Sequence, residues 1–143
     1  MSEIVIDASA ALALVLTSQS TGASRSFLGP RDSESFIAPY IFTWEVANVL
    51  ARLARRGPLR QEALRETRAD LRQLEIAFQA PPDDAETWLI AEKASAFGLR
   101  VFDAAYLLLA MERRCALASR DDRLLVVARR FVPCLDLQGD SPV

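Results

Sequence analysis

The 143 residues carry 51% hydrophobic and 25% charged side chains, a globular composition that excludes intrinsic disorder and supports one domain with an ordinary core. Histidine is absent, which excludes Ser-His-Asp and Cys-His catalysis, histidine-driven RNA cleavage and zinc sites that need imidazole. The net charge of -2 argues at first sight against a nucleic-acid partner, no apolar run approaches the roughly 18 residues of a membrane span, and Cys115 and Cys134 are too few for a disulfide framework.

The chain opens with Glu3-Ile4-Val5-Ile6, an apolar run that stops at Asp7 and is followed by an apolar helical stretch from Ala8 to Leu16. This reads as a buried parallel strand delivering a carboxylate to the carboxyl edge of a sheet, where open α/β folds bind ligands. No basic region precedes the run, and Glu3 and Asp7 break it, so no signal peptide is expected and the expected location is the cytoplasm. A short helix from Thr21 to Leu28, closed by Gly29-Pro30, leads to a second strand over Ser35 to Ala38, stopped by Pro39. From Ile41 to Arg56, Phe42, Val46, Val49, Leu50 and Leu53 recur at helical spacing, and Glu45 falls at the edge of their stripe. An acid there can reach sideways into a cleft or extend to water. Gly57-Pro58 ends this helix and starts another, Leu59 to Leu74, so the two form a helical hairpin. The hairpin is locally basic, with Arg52, Arg55, Arg56, Arg60, Arg65, Arg68 and Arg72 against Glu62, Glu66 and Asp70. Solvated helices with ion pairs one turn apart and contact with phosphate both fit that pattern.

Glu75 to Phe78 reads as a short third strand, and Pro81-Pro82-Asp83-Asp84 as a turn whose acids cap a helix running to Phe97, with Gly98 as its C-cap. Leu99 to Phe102 is too short to assign as a strand; it ends at Asp103, from which Ala104 to Arg113 is helical, with Ala105, Leu108, Leu109 and Glu112 marking a mostly buried element. Ala116 to Ala118 is a further strand, ending in Ser119-Arg120-Asp121-Asp122; Leu124 to Arg130 is a short helix and Val132 to Leu137 a last strand. This alternation implies a parallel sheet with helices on both faces, in a single domain over residues 1–143.

Asp7, Asp103 and Asp121 each open an apolar helical stretch, and any one of them alone reads as an N-cap. The set with Glu45 reads as a metal site. No G-x-G-x-x-G or Walker A run is present, so the chemistry left is that of carboxylates, whose hard oxygens favour Mg²⁺ or Mn²⁺. If the strands ending at Asp7 and Ala118 are parallel, Asp7 and Asp121 project at one edge. Asp103 joins them only if its helix packs with its amino end over the cleft.

The stretches Ile4-Val5-Ile6-Asp7-Ala8-Ser9-Ala10, Pro39 with Trp44-Glu45-Val46-Ala47-Asn48, Phe102-Asp103-Ala104-Ala105-Tyr106-Leu107-Leu108, and Leu117-Ala118-Ser119-Arg120-Asp121 resemble the successive motifs of PIN domains. The likeness is nearest to the VapC-type toxins of toxin-antitoxin pairs, and runs from Ile4 to about Leu137. It implies a Rossmann-like PIN fold and Mg²⁺- or Mn²⁺-dependent hydrolysis of RNA, with Asp7, Glu45, Asp103 and Asp121 matching the family's acids. Ser9 and Ser119 match hydroxyls that hold those carboxylates, and the spacing from Ser119 favours Asp121 over Asp122 as ligand. The resemblance further implies a homodimer and a small antitoxin seated in a groove near the acids. Trp44, Leu59 and Leu64 of the helical hairpin either form part of that groove or pack within the domain. Hydrolysis by metal-activated water leaves 5′-phosphate and 3′-hydroxyl ends. Arg52, Arg55 and Arg56 are the expected RNA contacts.

Two other classes compete. A PIN-like protein-binding domain without cleavage would not need four acids. An aspartate-based phosphatase or phosphoreceiver needs a second Asp where Ser9 stands and a lysine at a strand end, whereas the one lysine, Lys93, lies in a helix.

Overall fold

The computed structural model of the chain describes residues 2–27, 34–57 and 59–139. Five strands form one all-parallel sheet: β1 (Ser2–Ile6), β2 (Glu34–Ala38), β3 (Ala77–Phe78), β4 (Ala116–Ser119) and β5 (Cys134–Asp136), in the order β3-β2-β1-β4-β5. The chain first builds outward from β1 to β3, then returns across the sheet to lay β4 on the other side of β1. The order therefore reverses between β1 and β4, and the crevice beyond their carboxyl ends is where such sheets take ligands. Ile4, Val5 and Ile6 of β1 and Leu117, Ala118 and Ser119 of β4 are buried in succession, without the alternation of a one-sided strand. Burial on both faces requires a continuous apolar run, which is why these segments were legible as strands. Leu117 is fully enclosed, and truncating it to alanine is expected to cost about 2–5 kcal/mol.

The helices are α1 (Ala8–Val15), α2 (Gly22–Phe27), α3 (Ile41–Arg56), α4 (Gln61–Arg72), α5 (Asp84–Phe97), α6 (Val101–Arg113) and α7 (Asp122–Ala128). Ala8, Ala10, Ala11 and Ala13 are all buried, so α1 lies close against the sheet with only Leu12 as a large contact from its centre. Helix α3 buries Phe42, Val46 and Leu50, with Val49 and Leu53 half-buried beside them, as the stripe predicts. No single helix among the described residues is long and apolar enough to cross a membrane.

Several boundaries differ from the sequence reading, most by one or two residues. Helix α6 begins at Val101, so Leu99 to Phe102 contains no strand: Gly98, left-handed at φ 70°, ends α5, and Arg100 is already the N-cap of the next helix. That corner turns the chain through 99°. The buried side of α6 is Asp103, Ala104, Tyr106, Leu107, Leu109 and Ala110, while Glu112 is exposed. Strand β3 is only Ala77–Phe78 and β5 only Cys134–Asp136, because each is an edge strand with one pairing partner. Helix α4 starts at Gln61, leaving Leu59 in the turn after Gly57, which caps α3 at φ 94°. The expected breakers Gly29-Pro30 and Pro58 lie outside the described residues. Cys115 and Cys134 are free and half-buried at the margin of the core.

Candidate metal centre

Asp7 leaves β1 as the N-cap of α1. Its Oδ1 accepts the Ala10 backbone N–H at 2.8 Å and the Ser9 hydroxyl at 2.7 Å, while Oδ2 accepts the Ser119 hydroxyl at the end of β4. Both hydroxyls have their proton committed to Asp7, because each oxygen is already taken by a backbone donor: Ser9 Oγ accepts Arg120 N–H at 3.0 Å and Ser119 Oγ accepts Asp121 N–H at 2.9 Å. Two serines thus tie the exit of β4 to the exit of β1 around one carboxylate. Asp121 then caps α7, its Oδ1 accepting Arg123 N–H at 3.0 Å and Leu124 N–H at 3.5 Å. Its Oδ2 takes no part in the cap and lies 3.8 Å from the Arg100 guanidinium. Capping and presentation of a free carboxylate oxygen are done here by one side chain.

Asp103 is the third residue of α6, where an acid in the first turn also complements the helix dipole. Arg100 grips it with a fork, Nε to Oδ2 at 3.0 Å and Nη2 to Oδ1 at 3.3 Å. One turn on, the buried Tyr106 donates to Glu45 Oε1 at 2.6 Å across 61 residues of sequence, so the half-buried Glu45 points from α3 into the cleft. Asp7, Glu45, Asp103 and Asp121 all line a single cleft of about 530 Å³ at the carboxyl edge of the sheet. Trp44, Asn48, Arg52, Arg100, Tyr106 and Arg120 complete its wall.

The electrostatics of the cleft are those of carboxylates short of positive charge. Burial pushes the Asp7 carboxyl from 3.8 up to about 6, although the Ser119, Ser9 and Ala10 donors pull it down; Glu45 adds a further upward push. Glu45 is raised as well, first by burial and then by Asp103 and Asp121, against the hydrogen bond from Tyr106 and the charge of Arg100. The Tyr106 hydroxyl is held firmly protonated by burial and by the adjacent Glu45. Four hard oxygen donors that destabilise one another's charge fit a divalent cation in chemistry. Among the described residues, however, no three acidic or cysteine side chains already stand close enough to enclose one ion. Each acid is engaged separately, and Arg100 stands between Asp103 and Asp121.

The profile of the PIN domain family matches residues 4–130. The chain belongs to the PIN domain family. PIN domains are in general nucleases, acting on nucleic acid with the help of divalent metals. Among solved structures, the crystal structure of PAE2754 from Pyrobaculum aerophilum is similar, with 20% identity, a TM-score of 0.67, and coverage of 94% of this chain and 90% of that one. No curated protein matches.

Within this PIN domain, the expected RNA contacts divide. Arg52 lines the cleft, whereas Arg55 and Arg56 are exposed at the end of α3 and do not. Trp44 is 71% exposed at the rim, and Leu59 and Leu64 pack against the core. Sequence reasoning gave no role to Arg100 or Tyr106. The signal for both was present in spacing: they lie three residues before and three after Asp103, each within one helical turn of it.

Proposed function

We propose that this PIN domain is a VapC-type ribonuclease toxin that hydrolyses RNA in the cytoplasm using Mg²⁺ or Mn²⁺, with Asp7, Glu45, Asp103 and Asp121 as ligands and catalytic acids. The observation that carries this reading is the convergence of those four carboxylates, drawn from four separate elements, on one cleft at the switch point of the sheet. The bound cation supplies charge neutralisation at the phosphodiester and an activated water for attack at phosphorus.

The chain's own residues do the rest. Ser9 and Ser119 hold Asp7 as an anion despite its burial, and Tyr106 fixes the rotamer of Glu45. Glu45, whose carboxyl is held above its ordinary range chiefly by burial, faces the cleft where it would accept a proton from the attacking water. Arg52 at the wall meets the negative backbone of the substrate. A small antitoxin seated near the acids is the expected inhibitor, with Trp44, exposed at the rim of their cleft, as an apolar contact for it. A homodimer is expected too, and α5, which buries only Ala94 and leaves Trp88 and Leu89 exposed, is a face suited to it.

The test is cleavage of total RNA by the metal-stripped chain with Mn²⁺ restored, comparing wild type with Asp7→Asn and Glu45→Gln. Both variants are expected to fold and to lose at least about 100-fold in rate. Equal cleavage by wild type and Asp7→Asn refutes the assignment, and binding without any cleavage favours a purely protein-binding PIN domain.

A further inference from the structure

Arg100 has no role in capping α6, although it occupies the N-cap position. Its hydrogen-bond and ion-pair partners among the described residues are Asp103, held bidentately at 3.0 and 3.3 Å, and Asp121 at 3.8 Å. These acids come from different elements, the first turn of α6 and the start of α7, and both line the same cleft. A guanidinium bridging them puts a single positive charge where two of the four carboxylates would otherwise face each other.

Resting on the metal-dependent reading above, we propose that Arg100 is a removable counter-cation: it bridges Asp103 and Asp121 at the wall of the cleft and must leave them before a divalent ion can bind them. The geometry makes the exchange feasible. The Arg100 side chain is 66% exposed while Asp103 is 9% exposed, so the arginine can turn out to solvent and the acid stays behind. A divalent ion brings twice the charge of the guanidinium to the same carboxylate oxygens, which lets it displace the arginine. In this reading Arg100 sets the metal concentration at which the site fills, and it keeps Asp103 and Asp121 from repelling each other until then.

Calorimetric titration of the metal-stripped full chain with Mn²⁺ tests this without any measure of activity. Arg100→Gln, which removes the charge and keeps a polar stem, is expected to bind Mn²⁺ roughly three- to tenfold tighter than wild type, and Arg100→Lys to fall between them. A second readout needs no variant: the Arg100 Nε–H resonance, protected by Asp103 in the metal-free protein, should shift and exchange faster as Mg²⁺ saturates the site. Equal or weaker Mn²⁺ binding by Arg100→Gln, or an Nε–H still protected at saturating Mg²⁺, overturns the proposal. Asp7→Asn separates the two levels. Metal bound by wild type, lost in Asp7→Asn and unchanged in Arg100→Gln removes the competition and leaves the nuclease reading standing, whereas no metal bound by wild type removes both.

Discussion

Replacing Asp7 with asparagine should stabilise the metal-free protein at neutral pH. The Asp7 carboxyl is 5% exposed and sits at about 6 in the folded chain against 3.8 when unperturbed, chiefly through burial. The folded state therefore keeps a proton that the unfolded chain has already released between those two values. Stability contributed by the protonated form is fully present below about pH 4 and is lost as pH rises through about 6, after which it changes no further. A displacement from 3.8 to about 6 corresponds to about 3 kcal/mol at 1.36 kcal/mol per pH unit. An asparagine keeps an acceptor for Ala10 N–H and Ser9 and carries no charge, but its Nδ2 cannot accept from the Ser119 hydroxyl, and the loss of that buried bond offsets about 1–2 kcal/mol of the gain, leaving a net stabilisation of about 1 kcal/mol at neutral pH. Urea unfolding in EDTA at pH 4 and 7.5 measures it. Wild type should lose about 3 kcal/mol across that interval beyond the change seen in Asp7→Asn, and the variant should unfold later at pH 7.5. With Mg²⁺ the ranking should invert, because only wild type gains binding energy. An Asp7→Asn protein that is less stable than wild type in metal-free buffer at pH 7.5 would show that the buried anion stabilises the fold, and the argument for a charge held in wait of a cation would fail.

Asp121→Asn should separate capping from chemistry: asparagine caps as well as aspartate, so stability should change by less than about 0.5 kcal/mol in chemical unfolding while cleavage falls sharply. Ser119→Ala removes a donor to Asp7 and the acceptor of Asp121 N–H at a fully buried position, and should cost about 1–3 kcal/mol in urea unfolding at pH 7.5. Tyr106→Phe deletes the one side-chain donor held at 2.6 Å on Glu45, so the acidic limb of the cleavage pH profile should move upward, read from kcat/KM between pH 5 and 8.

The sheet and two of its acids were legible because short rules govern them. An apolar run ending at an acid that opens a helix describes both the β1–Asp7 and the β4–Asp121 junctions, and the backbone-to-carboxylate capping bonds that enforce it span two or three residues. Asp103 was placed correctly in type but not in setting. Its arrival over the cleft depends on the left-handed Gly98 and the 99° corner after it, a geometry that hydropathy over Leu99 to Phe102 cannot express. Glu45 stayed ambiguous for a different reason: periodicity puts it at the border of a stripe, and the choice between cleft and water is made by the Tyr106 hydroxyl, a contact across 61 residues. At Asp7 and Asp121 the capping reading is borne out, and both residues also line the cleft.

The position of β1 at the centre of the sheet divides the cleft into two mechanical classes. Asp7 hangs from backbone that is paired on both sides, its own N–H bonded to Ala118 O at 3.1 Å, so it can move only if the middle of the sheet opens. Glu45 is carried by α3, which has one face in solvent, and Arg100 by the exposed corner before α6, where small rotations break few bonds. A substrate or an inhibitor of unfamiliar shape will therefore be accommodated by the α3 wall and the Arg100 side chain while the anchor stays still. Amide exchange should record this as a protection step between Asp7 and the first turn of α6.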